Sequence, residues 1–209
     1  MADGKRYDRD YFDRWYRRHG INRAATLTRK VALAVACAEY HLGRPLASVL
    51  DVGCGEGAWR APLRRLRPGV EYLGLDSSGY AVERFGRSRN LHMARFRDLS
   101  GLRFDAGFDL VVCADVLHYL DDAELRAGLP GLVANGHGAA WLETYCAEDE
   151  VEGDLDGFHA RPADWYRRAF ADAGLVQAGS HCWLLPDAAG LAVALEVAPA
   201  PRRGLFGRR

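Results

Sequence analysis

Residues 49–59 read Val-Leu-Asp-Val-Gly-Cys-Gly-Glu-Gly-Ala-Trp, an apolar run that breaks into a glycine-rich turn. Glycines at such a turn let the backbone approach a ligand where side chains would collide. The turn holds Gly53, Cys54, Gly55 and Gly57, and an acid, Asp51, stands two residues ahead of the first glycine. A second run, Tyr72-Leu73-Gly74-Leu75, closes on Asp76 and Ser77, which places a carboxylate 25 residues after Asp51. A carboxylate there can accept both hydroxyls of a ribose. Two chemistries fit this pattern. Gly53-x-Gly55-x-x-Ala58 matches a dinucleotide fingerprint with Asp76 as its ribose acid. The tighter Gly53-x-Gly55-x-Gly57 with Asp51 in front suits a nucleoside ligand that has no phosphate and carries positive charge. A negative charge beside a pyrophosphate is unfavourable, so charge complementarity favours the second.

These residues need a scaffold. Short apolar runs at Val49–Val52, Tyr72–Leu75, Leu91–Ala94, Phe108–Cys113 and Ala139–Leu142 alternate with amphipathic stretches at Ala58–Leu66, Gly79–Phe85, Asp121–Val133 and Pro162–Ala173. Continuous apolar strands alternating with helices imply a parallel sheet covered on both faces. Leu175–Leu185 and Leu191–Val197 flank a Pro-Asp-Ala-Ala-Gly turn and read as an antiparallel hairpin. Ahead of the sheet, Tyr7–His19 reads as a short amphipathic helix ended by Gly20. A longer helix follows over about Arg23–Leu42, with Leu27, Val31, Val35, Ala38 and Leu42 as its apolar stripe. The 209 residues carry 28 basic and 28 acidic side chains, so binding of nucleic acid by bulk charge is excluded. No run of about 20 uncharged apolar residues indicates a transmembrane helix. The N-terminal MADGKRYDRD lacks an apolar signal core, so a cytoplasmic location is expected. Cys37, Cys54, Cys113, Cys146 and Cys182 are scattered and never spaced C-x-x-C, which fits reduced thiols better than disulfides. The histidines lack metal-helix spacing, so no metal is expected.

The ordered motifs resemble those of the class I S-adenosylmethionine-dependent methyltransferases. The match runs from about Ser48 to Val197: VLDVGCGEGAW is similar to the first motif, YLGLDSS to the second, FRDL at Phe96–Leu99 to the third, and FDLVVCADVLHYLDD at Phe108–Asp122 to the fourth strand and its loop. The resemblance implies a Rossmann-like α/β fold. Its sheet would be doubly wound, seven-stranded and mostly parallel, with a C-terminal antiparallel hairpin and an N-terminal helical extension. It implies S-adenosyl-L-methionine as cofactor, with S-adenosyl-L-homocysteine as product. Gly53, Cys54, Gly55 and Gly57 would hold the methionine part, Asp51 its ammonium, Asp76 the ribose, and Ser77 would lie beside the adenine. Asp98 would accept from the adenine amine, Leu99 would pack on the ring, and Ala114 and Asp115 would border the sulfonium. Helix capping by Asp51 or Asp76, and a plain loop role for Asp98, are the alternatives.

Methyl transfer is chiefly positioning, and needs a base only where the nucleophile arrives protonated. His118 and His159 are the base candidates; packing beneath the loop, or capping of the helix at Asp121, is the alternative for His118. Tyr11, Tyr119, Tyr145, His159 and Arg161 are the acceptor-side candidates. The acidic stretch Glu148–Asp156 is either a solvated loop or part of a site for a cationic acceptor. Tyr7, Tyr11 and Trp15 suggest a lid over the cofactor, with Trp15 touching it; permanent packing on the sheet edge is the other reading. The division expected is residues 1–45 as helical extension and lid, 46–198 as the S-adenosylmethionine-binding domain, and 199–209 as a disordered basic tail. Ala114-Asp115-Val116-Leu117 stands where DNA base-amine methylation would need an Asn-Pro-Pro-Tyr-like motif, so DNA is not expected as partner. The absence of an RNA-binding module argues against RNA. The leading expectation is a monomeric or homodimeric enzyme methylating an oxygen or nitrogen of a small molecule. RNA or protein methylation guided by Arg14, Arg17, Arg18 and Arg23, an NAD oxidoreductase, and a non-catalytic cofactor-binding scaffold are the alternatives.

Overall fold

The computed structural model describes residues 5, 7–18, 24–151 and 153–199. His19, Gly20 and Arg23, and the tail from Ala200 to Arg209 with the expected basic segment, lie outside the described residues. Apolar runs become strands β1 (Ser48–Val52), β2 (Glu71–Asp76), β3 (Leu91–Met93), β4 (Phe108–Ala114) and β5 (Gly136–Glu143). They associate with β6 (Val176–Gly179) and β7 (Cys182–Leu184) into one sheet of order β3-β2-β1-β4-β5-β7-β6. Neighbours from β3 to β5 are parallel, whereas β7 runs antiparallel to both β5 and β6. Both faces are buried. On β4, Leu110 and Val112 join one core cluster with Val31, Trp59 and Trp141; Val111 and Cys113 join the other with Leu99, Leu129 and Phe170. The alternation of strand side chains divides one apolar run between two cores.

Helices α3 (Arg60–Leu66), α4 (Gly79–Arg89), α5 (Asp122–Ala134) and α6 (Ala163–Asp172) cover the sheet. Local chemistry sets their ends. Ser78 Oγ accepts from the Ala81 N–H at 3.1 Å and starts α4, and Asp121 Oδ1 accepts from the Glu124 N–H at 2.8 Å and starts α5. The N-terminal part divides in two. Helix α2 (Ala24–Leu42) buries Leu27, Val31, Ala34, Val35 and Ala38 in the same core as β1, so it is a layer of the fold. Only the short α1 (Arg9–Phe12) and the π-helical turn Asp13–Arg18 cover the carboxyl ends of the strands.

The hairpin differs from the sequence expectation. Both of its strands fall inside 176–184 and turn at Gly179, whose φ is +147°, while Pro186–Ala189 forms a short helix, α7. Proline fixes φ at the first helical position and lacks the N–H a central strand needs, so the chain leaves the sheet there. Leu191, Val193 and Leu195 are then exposed, and the chain returns to the edge through the Ala198 N–H to Gln177 O bond of 2.7 Å.

Candidate functional site

A cavity of about 740 Å³ opens at the carboxyl ends of β1, β2 and β4, and a smaller one of about 250 Å³ lies beside it around Asp51 and Trp59. Gly53, Phe12, Tyr16, Ala114 and Asp115 border both. Crevices at this end are where open α/β sheets place ligands. The glycine turn is built for the position. Gly53 has φ +72°, and a Cβ on it would meet Val116 Cγ2 at 2.3 Å, so this glycine interlocks two loops. Gly57, at φ +75°, borders neither cavity; a Cβ there would meet Leu91 at 3.1 Å, so its role is packing against β3.

Two buried carboxylates straddle the turn. Asp76 accepts from the N–H groups of Gly55 at 2.6 Å and Ser78 at 2.7 Å. Burial raises its pKa, partly offset by those amides. Asp51 is 2% exposed and accepts from the Tyr72 hydroxyl at 2.6 Å. Burial pushes its pKa up to about 7 against that hydrogen bond, with the Asp76 charge adding to the rise. Asp115 follows β4. Burial and the charge of Glu143 push it up to about 6, Lys30 opposes, and its Oδ1 is sealed from solvent with no hydrogen-bond partner among the described residues. Lys30 of α2 is instead ion-paired to Glu143, whose Oε2 also accepts from Trp141 Nε1 at 3.2 Å.

The N-terminal segment roofs the main cavity with Tyr7, Tyr11, Phe12 and Tyr16. It is tied at both ends. Lys5 pairs with Asp154, donates to Asp156 O at 2.8 Å and lies 3.6 Å over the Tyr119 ring; Arg17 donates to Glu56 Oε1 at 2.8 Å. Burial keeps the Tyr11, Tyr16 and Tyr119 phenols protonated. Trp15 borders neither cavity. The reason is the π turn. Helical spacing groups Tyr11 with Trp15, whereas an i to i+5 turn brings Tyr16 round instead, and the Tyr11 and Tyr16 rings lie 6.4 Å apart.

The remaining expected residues divide by position. Ser77, Leu99 and Tyr119 border the main cavity and Cys54 the smaller one. Asp98 does not: it is exposed, beside Arg97, while Ala94, Arg95 and Phe96 take the wall after β3. His118 and His159 border neither cavity. The His118 imidazole is 2% exposed, packs 4.2 Å from the Tyr119 ring, and accepts at Nδ1 from the Tyr145 N–H at 3.4 Å. Burial, with Lys5 nearby, lowers its pKa to about 4, so it is neutral at physiological pH. His159 is exposed and its N–H donates to His118 O at 2.8 Å. Arg161 is buried away from the cavities, bonded to Asp122 Oδ1 at 2.8 Å, Leu120 O at 2.7 Å and Tyr166 Oη at 3.2 Å, and so pins the loop before α5. Tyr145 is 39% exposed and borders neither cavity. Sequence reasoning missed Phe12, Tyr16, Arg95 and Glu124, which no motif marks. Among the described residues no cluster of three or more His, Cys, Asp or Glu could hold a metal, and no helix is long and apolar enough to cross a membrane.

Residues 50–134 match a family model described as a methyltransferase domain. Together with the strand order and the cavity at the glycine turn, this match makes residues 50–134 similar to a methyltransferase domain on a Rossmann-like α/β sheet. Among individual proteins, it is 35% identical over 130 residues to a trans-aconitate 2-methyltransferase of Deinococcus radiodurans, covering 55% of this chain and 49% of that one. It is 36% identical over 91 residues to an uncharacterised protein of Synechococcus, covering 40% of this chain and 21% of that one. The chain thus spans half or less of the length of these curated relatives. Among solved structures, the sugar N-methyltransferase KedS8 of Streptoalloteichus aligns with TM-score 0.63 at 20% identity, over 88% of this chain and 94% of that one. The magnesium protoporphyrin IX methyltransferase of Synechocystis, solved with bound S-adenosylhomocysteine, aligns with TM-score 0.57 at 20% identity, over 86% and 94%. At these identities the likeness is one of fold.

Proposed function

We propose that the chain transfers a methyl group from S-adenosylmethionine to an oxygen or nitrogen of a small-molecule acceptor. The observation that carries this is the pair of buried carboxylates, Asp51 and Asp76, on either side of a glycine turn that opens on a 740 Å³ cavity. The donor set fits a cationic nucleoside. Asp76 is placed for ribose hydroxyls, Leu99 and Phe96 offer apolar surface for a base, and Gly53 and Gly55 leave room beside Asp51 for an amino-acid end. When bound, the cofactor supplies an electrophilic methyl on a positively charged sulfur. What this chain would supply is position and dryness: Tyr11, Phe12, Tyr16 and Tyr119 line the cavity with rings that would exclude water. His118 and His159 border neither cavity, which argues against either as the base for a protonated acceptor. The size of the cavity and its closure by the N-terminal segment support a small acceptor over a polymer, and both solved relatives above are named for small molecules.

Calorimetric titration with S-adenosylmethionine, S-adenosylhomocysteine and NAD in parallel tests the reading. Micromolar binding of the first two, weakened about tenfold or more in Asp51→Asn by loss of a buried charge partner, is expected. Binding of NAD that survives Asp51→Asn would establish the dinucleotide reading instead. A folded protein that binds none of the three would overturn the enzyme reading.

A further inference from the structure

Arg95 and Glu124 carry opposite charges on the wall of the larger cavity, and neither side chain makes a hydrogen bond or ion pair among the described residues. Glu124 is half-buried and Arg95 exposed. The other charged groups on that wall are engaged or stand elsewhere. Lys5 pairs with Asp154, Asp8 accepts from the Tyr11 N–H at 3.0 Å and starts α1, and Asp76 is held by two amides. Asp115 stands apart, where the two cavities meet.

The packing of α5 fixes where the two charges lie. A Cβ on Gly128 would meet Phe96 Cδ1 at 2.3 Å, and one on Gly131 would meet Ser100 N at 2.2 Å, so this face of α5 lies flat on the turn Phe96–Gly101. Glu124 is four residues before Gly128, and residues i and i+4 stand one above the other on a helix. Glu124 is therefore beside Phe96, and Arg95 directly precedes Phe96 in the chain. The two charges flank the apolar surface of Phe96 and Leu99. All four residues border only the larger cavity, whereas Asp51 borders only the smaller one. A nucleoside with its ribose at Asp76 and its amino-acid end at Asp51 puts its base against Phe96 and Leu99.

A hydrogen-bond acceptor and a donor on either side of an apolar slot suit a ring whose edge carries a donor next to an acceptor. Adenine has that edge, since its amine donates and the neighbouring ring nitrogen, N1, accepts. From this geometry we infer that Glu124 and Arg95 read the adenine of the cofactor, Glu124 accepting from the amine and Arg95 donating to N1. Recognition of the base thereby passes from the exposed Asp98 to the first turn of α5. The inference rests on the methyl-transfer reading above.

The probe is S-inosylhomocysteine, in which hypoxanthine replaces the adenine of S-adenosylhomocysteine. Its carbonyl would face the Glu124 carboxylate and its N1 proton the Arg95 guanidinium, so both contacts reverse. Calorimetry compares the two affinities. Wild type is expected to prefer S-adenosylhomocysteine by about tenfold or more. Glutamine both donates and accepts, so Glu124→Gln and Arg95→Gln are each expected to cut that preference by about threefold or more. Asp98→Asn, at an exposed position off the wall, is expected to keep the full preference. Wild type with no preference, or a preference unchanged in either glutamine variant, would overturn the inference. Its loss in Asp98→Asn would also overturn it and return the base to the turn after β3. Failure of wild type to bind S-adenosylhomocysteine would instead sink the methyl-transfer reading on which it stands.

Discussion

The residue with most influence on ligand charge is Asp51. With its pKa near 7 in the free protein, it is largely protonated at pH 6 and largely ionised at pH 8. An acid whose folded pKa is raised above its unfolded value near 4 makes the free protein less stable as pH rises through that interval. A cationic ligand reverses the preference by favouring the carboxylate. Cofactor affinity is therefore expected to rise severalfold between pH 6 and pH 8, with protons released on binding at the lower pH. Calorimetry in buffers of different ionisation enthalpy reads that release directly; Asp51→Asn should flatten the pH dependence, and an unchanged slope in the variant would assign it elsewhere. Legibility at this scale was uneven. Asp51, Gly53, Gly55 and Asp76 could be read from sequence because a tight turn after a strand allows few residue types. Asp98 could not be placed, because the turn after β3 puts Ala94–Phe96 on the wall and swings Asp98 to solvent. A short motif does not encode that rotation.

Among the elements, the π turn over Asp13–Arg18 decides what the N-terminal segment does. It replaces Trp15 by Tyr16 on the cavity side, and it brings Arg17 to Glu56 beside the glycine turn. A wider turn inside a helix is a frequent companion of function and a poor choice for stability alone. The segment has only a four-residue helix and a π turn, and its tie from Arg17 to Glu56 is partly exposed and of small worth. It is therefore expected to open locally in the free protein. Amide hydrogen exchange over residues 7–18 should slow by about tenfold or more when S-adenosylhomocysteine binds. A permanently packed helix would show equal protection with and without ligand. The sequence did show an aromatic amphipathic helix here, yet its period of 3.6 led to the wrong aromatic, since nothing in Asp-Arg-Trp-Tyr-Arg-Arg announces an i to i+5 turn. The helix α2 was legible as a helix but not as core: its stripe is the same whether it covers a cavity or the sheet, and only tertiary packing decides.

In the whole molecule, the end of the sheet opposite the cavity is fastened by one buried acid. Asp109 of β4 accepts from both Arg44 Nη1 at 2.9 Å and Nη2 at 2.6 Å, from the Ala47 N–H at 2.6 Å and from His137 Nε2 at 2.7 Å. It thereby ties the link between α2 and β1 to β4 and β5. Burial acts to raise its pKa, but these donors outweigh burial and hold it at about 2. The folded value lies below the unfolded one, so the stabilisation is present above pH 4 and is lost as pH falls toward 2. At neutral pH it is worth on the order of 2 kcal/mol. Asp109→Asn is expected to lower the melting temperature by several degrees at pH 7 and by about half as much at pH 3. Calorimetric scans of both proteins at the two pH values check this, and equal losses at both would mean that packing, not charge, holds the corner. The alternation of strands and helices made this architecture legible in advance. The final hairpin was misread because apolar residues at Leu191, Val193 and Leu195 alternate like a strand, although Pro186 has already turned the chain off the sheet.

The interlock between Gly53 and Val116 has an evolutionary consequence. A side chain at 53 would strike Val116 and would also sit on a left-handed backbone, so Gly53 stays glycine and Val116 packs into the space it leaves. The first turn of the loop after β4 is thereby tethered to the cofactor side and is closed to drift in acceptor preference. Tyr119 and Leu120, which border the same cavity without touching the glycine turn's tight spot, carry no such tether. Descendants of this chain that acquire new acceptors are expected to diverge at those positions first and to keep Gly53 and Val116 as an inherited pair.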